Sequence, residues 1–214
     1  MNINHSSDKA SLCFGQAQNE IKAILLPDLF SSDSLEFNRA IHGDNPVSSK
    51  NVLRIKQWEA LRHLLFIAGI SSPLKYLPNG KPVLDENLHI SVSHSGQSMM
   101  LSYGGVNHGT DIERSGMKAH SVRSRFCNAA ELLWAEKLKE PDIFTSMWSV
   151  KEAIFKFFGE TVDFRAHISI EPFMIDSEEI YASYSGGHGQ VDFRCGHWRL
   201  HDLHVVMAMP SKPF

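Results

Sequence analysis

The chain is short of cysteine, of long hydrophobic runs, of excess positive charge and of a leader-like start, and each shortage removes a class of protein. Its three cysteines, Cys13, Cys127 and Cys195, are an odd number with no C-x-x-C spacing. They suit neither a zinc site nor a disulfide framework, and they point to a reducing compartment. No stretch approaches the roughly 18 consecutive apolar residues of a membrane-spanning helix. The opening "MNINHSSDKASL" lacks the basic start and apolar core of a secretory signal, so a cytoplasmic location without a membrane partner is expected. The formal charge of −3 argues against nonspecific nucleic-acid binding, which needs a basic surface.

What remains is an ordinary globular composition, 43% hydrophobic and 21% charged, in a chain of 214 residues that can bury a core. Residues 1 to about 18 read as polar and loose. "IKAILLPD" reads as a strand stopped by Pro27, and "SSDSLEFNRAIHGDNPVSSKN" as a short helical piece with a loop at "GDNP". In "NVLRIKQWEALRHLLFIAG", Leu53, Trp58, Leu61, Leu64, Leu65 and Ala68 recur near a 3.6-residue period before Gly69, which predicts a helix. "SSPLKYLPNGKPVL" is a turn-rich connection to a short strand near Val83. "LHISVSHS", "SMMLSY" and "VNHGTDIE" predict three strands, the first two paired.

Helical patterning returns from Met117 to about Leu138 and again in "DIFTSMWSVKEAIFKFFG", where Val150, Ala153, Ile154, Phe157 and Phe158 make a core stripe before Gly159. The remainder reads as four or five antiparallel strands, and the class is α+β. "WEALRHLLFIAG" and "KEAIFKFFG" echo each other, with Glu59 and Glu152 nearly half the chain apart. Chance likeness of two amphipathic helices explains that echo as well as a repeat does. The repeat predicts two similar α/β halves, residues 1–105 and 106–214, forming a pseudodimer. Each half would be a small antiparallel sheet packed with a long helix, with the site at the seam.

The chemistry-bearing residues fall into short clusters. Asp111 and Glu113 sit at i and i+2 of a strand, on one face, where two carboxylates repel unless a cation or proton lies between them. Taken alone, such a pair is usually two solvated acids. Glu152 and Lys156 share a helix face four residues apart, as in any exposed Glu–Lys pair. "SVSHSG" presents Ser93 and His94 at a strand end, and "NGKP" presents Lys81 in a turn. Arg54, Lys56 and Arg62 punctuate the first long helix.

In order, the chain reads G-K-P, S-H-S, G-x-D-x-E and W-x-x-K-E-A-x-x-K-x-x-G, and this order resembles the Sfp-type 4′-phosphopantetheinyl transferases. The likeness covers Gly80 to Gly159, and "RFCNAAELLWAE" looks like the family's F-x-x-x-E segment with Glu131 in the acidic place, though one residue more separates it from Phe126. It implies transfer of 4′-phosphopantetheine from the co-substrate coenzyme A to a serine of an apo carrier protein, with release of 3′,5′-ADP. Asp111, Glu113 and Glu152 would hold Mg²⁺ or Mn²⁺. Glu152, or a metal-bound water that it positions, would take the serine proton, with Lys156 and His94 completing the catalytic set. Arg54, Lys81, Ser93, His94, Lys151 and Lys156 would bind coenzyme A. Thr110 departs from the aliphatic residue usual between the glycine and the aspartate.

Arg114, Lys118, Arg123 and Arg125 form a basic run on an acidic chain, suited to an acidic carrier. A monomer is expected. Two other classes compete: a different metal-dependent phosphoryl transferase or phosphodiesterase with water as nucleophile, and a noncatalytic carrier-binding module.

Overall fold

The computed structural model describes residues 3–6, 9–15, 20–29, 52–85 and 87–212. The chain divides into two compact units, Met1–Asn107 and His108–Phe214. The helical piece expected within residues 31–51 lies outside the described residues.

The first unit contains β1 (Ile3–Ser6), β2 (Lys9–Phe14), β3 (Ile21–Leu26), α1 (Val52–Ile67), a small hairpin of β4 (Lys75–Tyr76) and β5 (Pro82–Val83), β6 (His89–Ser95) and β7 (Ser98–Gly104). Five of these strands form an antiparallel sheet in the order β1-β2-β3-β7-β6. The loose amino terminus expected above is therefore corrected. "KASLCF" buries Ala10, Leu12 and Phe14 while Ser11 and Cys13 are less covered, the period of two that a strand requires. Helix α1 sets Ala60, Leu61, Leu64 and Leu65 against Ile24, Leu26, Ile90 and Leu101. This is the core that its 3.6-residue pattern foretold.

The second unit contains β8 (Gly109–Arg114), α2 (Met117–Phe126), α3 (Ala129–Leu138), α4 (Ile143–Phe158), α5 (Phe164–His167), β9 (Ile168–Ile170), β10 (Glu179–Gly186), β11 (Gly189–Leu200) and β12 (Leu203–Pro210). Its antiparallel sheet runs β8-β12-β11-β10-β9. A capping box starts α3, Asn128 accepting from the Glu131 amide while Glu131 reaches back to the Asn128 amide. Gly159, at φ 72°, ends α4 in the left-handed conformation. Helix α4 is the hub: Val150, Ala153, Ile154 and Phe157 meet Phe193, Cys195, Val206 and Ala208 in one core.

The α+β class holds, with two antiparallel five-stranded sheets, each accompanied by a 16-residue helix. The two units differ in chain order. Three strands of the first sheet precede its long helix, whereas only β8 precedes α4 in the second. Among the described residues no helix is long and apolar enough to cross a membrane.

Candidate functional site

The glycine of G-x-D-x-E explains how close the strand and helix are. A Cβ on Gly109 would lie 1.8 Å from the Ala153 carbonyl oxygen and 2.7 Å from the Phe157 amide nitrogen. Only a residue without a side chain lets β8 seat its backbone directly on α4. Thr110 next to it is fully buried, and its hydroxyl donates to the Val206 carbonyl at 2.9 Å. The departure from an aliphatic residue is thus absorbed by one hydrogen bond to β12.

From this contact the strand carries its acids along the helix. Asp111 is buried, and Lys156 Nζ lies 2.7 Å from its Oδ1. Glu113 is two residues further along, near Thr145 and Trp148 in the first half of α4. Between these points Glu152 is held among like charges. Burial first, then the Asp111 carboxylate, push its carboxyl up to about 7; Glu113 adds to the rise and Lys156 opposes it. Asp111, Glu113, Glu152 and Lys156 are therefore brought into one electrostatic neighbourhood from a strand and a helix.

Among the described residues no three acidic, imidazole or thiol groups already converge as a metal cage. Mg²⁺ does not need one, because it keeps several waters and shares its oxygen ligands with substrate phosphates. The donor set fits such an ion: it is all oxygen, and burial together with the neighbouring Asp111 carboxylate disfavours the bare negative charge on Glu152 that a cation would offset.

Beside Glu113 a cavity of ≈ 110 Å³ opens between β8, α2 and α4, lined by Glu113, Arg114, Lys118, Val122, Thr145 and Trp148. The buried Thr145 hydroxyl finds no hydrogen-bond partner among the described residues. Of the basic run, Arg114 pairs with Asp202 and Arg123 with Glu136 at 3.0 Å, whereas Lys118 and Arg125 form no salt bridge among the described residues.

Lys151 corrects the sequence-based expectation of a coenzyme A contact. It is wholly buried, and its ammonium donates to Glu131 Oε2 at 2.8 Å and to the carbonyls of Phe126, Phe164 and Ile168 at 2.9–3.0 Å. Burial lowers its pKa, and Glu131 offsets part of that effect. Glu131 in turn accepts from the Ile170 amide at 2.9 Å. The pair staples α4 to α3 and to the start of β9, and it presents nothing to a ligand.

The remaining expected residues lie in the first unit. Ser93 is buried and His94 exposed, on opposite faces of β6, so their side chains do not present one joint surface. Lys81 Nζ lies 3.4 Å from Asn107 Oδ1, and burial lowers its pKa. Arg54 is exposed near the start of α1. Arg62, by contrast, is buried over the Trp58 ring at 4.2 Å. Lys56 pairs with Glu59 at 3.9 Å.

Sequence reasoning missed a second polar network in the second unit, built on Ser146, His197 and His204, all fully or almost fully buried. The available signal was the pair of histidines, His197 and His204, set among apolar residues in two adjoining strand stretches.

Residues 107–208 match the family described as "4′-phosphopantetheinyl transferase superfamily". The chain is similar to "4′-phosphopantetheinyl transferase gsp" of Aneurinibacillus migulanus, 27% identical over 103 residues, which cover 47% of this chain and 42% of that protein. It is also similar to "4′-phosphopantetheinyl transferase Sfp" of Bacillus subtilis (strain 168), 30% identical over 82 residues, covering 36% and 37%. The matched stretch thus spans about two-fifths of each relative's length. The matched residues 107–208, just under half of the chain, carry Asp111, Glu113, Glu152 and Lys156, so the similarity to the 4′-phosphopantetheinyl transferase superfamily falls on the acid-bearing strand and helix.

Proposed function

We infer that the protein transfers 4′-phosphopantetheine from coenzyme A to a serine of an apo carrier protein, releasing 3′,5′-ADP. The observation that carries this reading is the neighbourhood of Asp111, Glu113 and Glu152 beside Lys156, inside the segment that matches the superfamily. When bound, Mg²⁺ or Mn²⁺ would be held by the three acids and would neutralise charge on the diphosphate under attack.

The chain's own groups supply the rest. Glu152, or a water that it positions, is the group proposed to accept the serine proton as the serine oxygen attacks the β-phosphorus. The bond from that phosphorus to the bridging oxygen breaks, and the electron pair leaves with 3′,5′-ADP. Lys156, one helical turn beyond Glu152, offers its ammonium to the phosphate oxygens. Lys81, Ser93, His94 and Arg54 are proposed as further coenzyme A contacts from the first unit; Ser93 would need its buried hydroxyl to be reached from that face of β6.

The carrier is proposed to dock over the cavity beside Glu113. Lys118 and Arg125 face an acidic partner, and ≈ 110 Å³ admits one aliphatic side chain, since about 150 Å³ suffices for benzene. Free thiols at Cys13, Cys127 and Cys195 suit a reducing, cytoplasmic setting.

The test is to incubate the protein with an apo carrier protein, coenzyme A and Mg²⁺ and to weigh the carrier. A phosphopantetheine-sized gain that disappears with chelator supports the reading. Coenzyme A breakdown with an unmodified carrier would favour a phosphodiesterase, and binding without change would favour a noncatalytic module.

A further inference from the structure

The buried histidine network of the second unit has a direction. His197 Nδ1 lies 2.8 Å from the Ser177 carbonyl oxygen, which only accepts, so Nδ1 carries the proton. The other nitrogen of that neutral ring, Nε2, then accepts from the Ser146 hydroxyl at 3.1 Å. Ser146 Oγ is left to accept from His204 Nδ1 at 2.8 Å, and His204 Nε2 accepts from the Ser115 hydroxyl at 2.9 Å. Each group in the chain is satisfied in one sense, from Ser115 to Ser177.

Its position gives it a consequence for the acids. Ser115 directly follows β8, and His204 on β12 stands opposite Glu113 in the strand register. Ser146 lies in the first turn of α4, the helix that supplies Glu152 and Lys156. Strand and helix run in opposite senses, Gly109 at Ala153 and Phe157, Asp111 at Lys156, and Glu113 near Thr145 and Trp148. The strand and helix are therefore fastened at two ends: by Lys156–Asp111 at one, and by Ser146–His204–Ser115 at the other. Glu113 and Glu152 lie between the fastenings.

We propose that His204, acting through Ser146 and Ser115, is a positioning residue that ties the Glu113 end of β8 to the first turn of α4, so that Glu113 can join Asp111 and Glu152 on one divalent cation when it binds. The inference rests on the reading of those acids as a metal site. The net contribution of such hydrogen bonds to stability is modest, so a network kept for stability alone could be replaced by apolar packing. What apolar packing cannot supply is a directed link from the end of β8 to the first turn of α4.

The experiment titrates Mn²⁺ alone into the full chain, by electron paramagnetic resonance, beside thermal melts. Ser146→Ala and His204→Phe each remove the link while keeping volume, and His204→Asn keeps a donor where Nδ1 stood. The expected result is a Kd for Mn²⁺ raised about tenfold or more in Ser146→Ala and His204→Phe, near that of Glu113→Gln, with most of the loss recovered in His204→Asn. Should His204→Phe fail to fold, Ser146→Ala against wild type decides the point. Lowered melting temperatures with unchanged Mn²⁺ affinity would overturn the proposal and leave the metal site standing. Absence of Mn²⁺ binding by the wild-type chain would overturn the metal site itself, and the proposal with it.

Discussion

Lys156 Nζ sits 2.7 Å from Asp111 Oδ1, a bond from helix to strand in which the lysine is partly exposed and the aspartate almost enclosed. The same ammonium that neutralises Asp111 is placed to meet substrate phosphate. Lys156→Met should therefore have two effects. Stability should fall by about 1–3 kcal/mol, less than the 3–5 of a fully enclosed pair. Turnover should fall about 10²–10³-fold, as for loss of a charge-stabilising donor. Denaturant titration and steady-state transfer rates check the two separately.

Glu152 gives a pH signature whose sign is set by its direction of shift. Its folded-state pKa, about 7, lies above the unfolded value of 4.5, so the folded chain binds the proton more tightly. Without divalent cation, stability from this group rises as pH falls from about 7 toward 4.5, and the penalty is complete above about 8. Glu152→Gln should melt above wild type at pH 8, with the gap closing by pH 5. The same variant should lose about two or more orders of magnitude in turnover.

Lys151 is expected to behave as a structural residue. Lys151→Ala leaves Glu131 charged and buried without its partner, at a cost of about 3–5 kcal/mol. Whatever folded protein remains should keep a normal KM for coenzyme A. A wild-type melting curve combined with a raised KM would restore the coenzyme A contact that burial argues against.

Gly109→Ala should separate β8 from α4, because the added carbon meets backbone on both close contacts rather than a side chain that could turn away. Overpacking of this kind typically costs about 1–3 kcal/mol, and here the strand bearing Asp111 and Glu113 must move. Stability and Mn²⁺ affinity should fall together.

At the basic run, Lys118→Glu and Arg125→Glu should raise the apparent KM for the carrier far more than that for coenzyme A. Arg114→Glu and Arg123→Glu should do less, since Asp202 and Glu136 already neutralise those cations. The effect should weaken with added salt. Equal changes in both KM values would remove the docking surface.

The long helices and the acid-bearing strand were legible because their periods are strong and their stops are glycines. β1 and β2 were not, since a short strand in a polar amino-terminal stretch carries only three inward residues, Ala10, Leu12 and Phe14, to betray it. Lys151 misled for a different reason. Periodicity assigns a helix one buried face, but α4 is enclosed on several sides, so a lysine off the main stripe still ends inside. The Ser146–His197–His204 network was invisible because its members come from α4, β11 and β12, and only the sheet register sets His204 opposite Glu113.

The most direct measurement is the stoichiometry and affinity of Mn²⁺ in the wild-type chain and in Asp111→Asn, Glu113→Gln and Glu152→Gln. One ion per chain, with affinity reduced severalfold or more by each of the three changes, is the result expected of carboxylates that share a cation. Binding left intact by all three, or lost in only one, would contradict a site built jointly from β8 and α4.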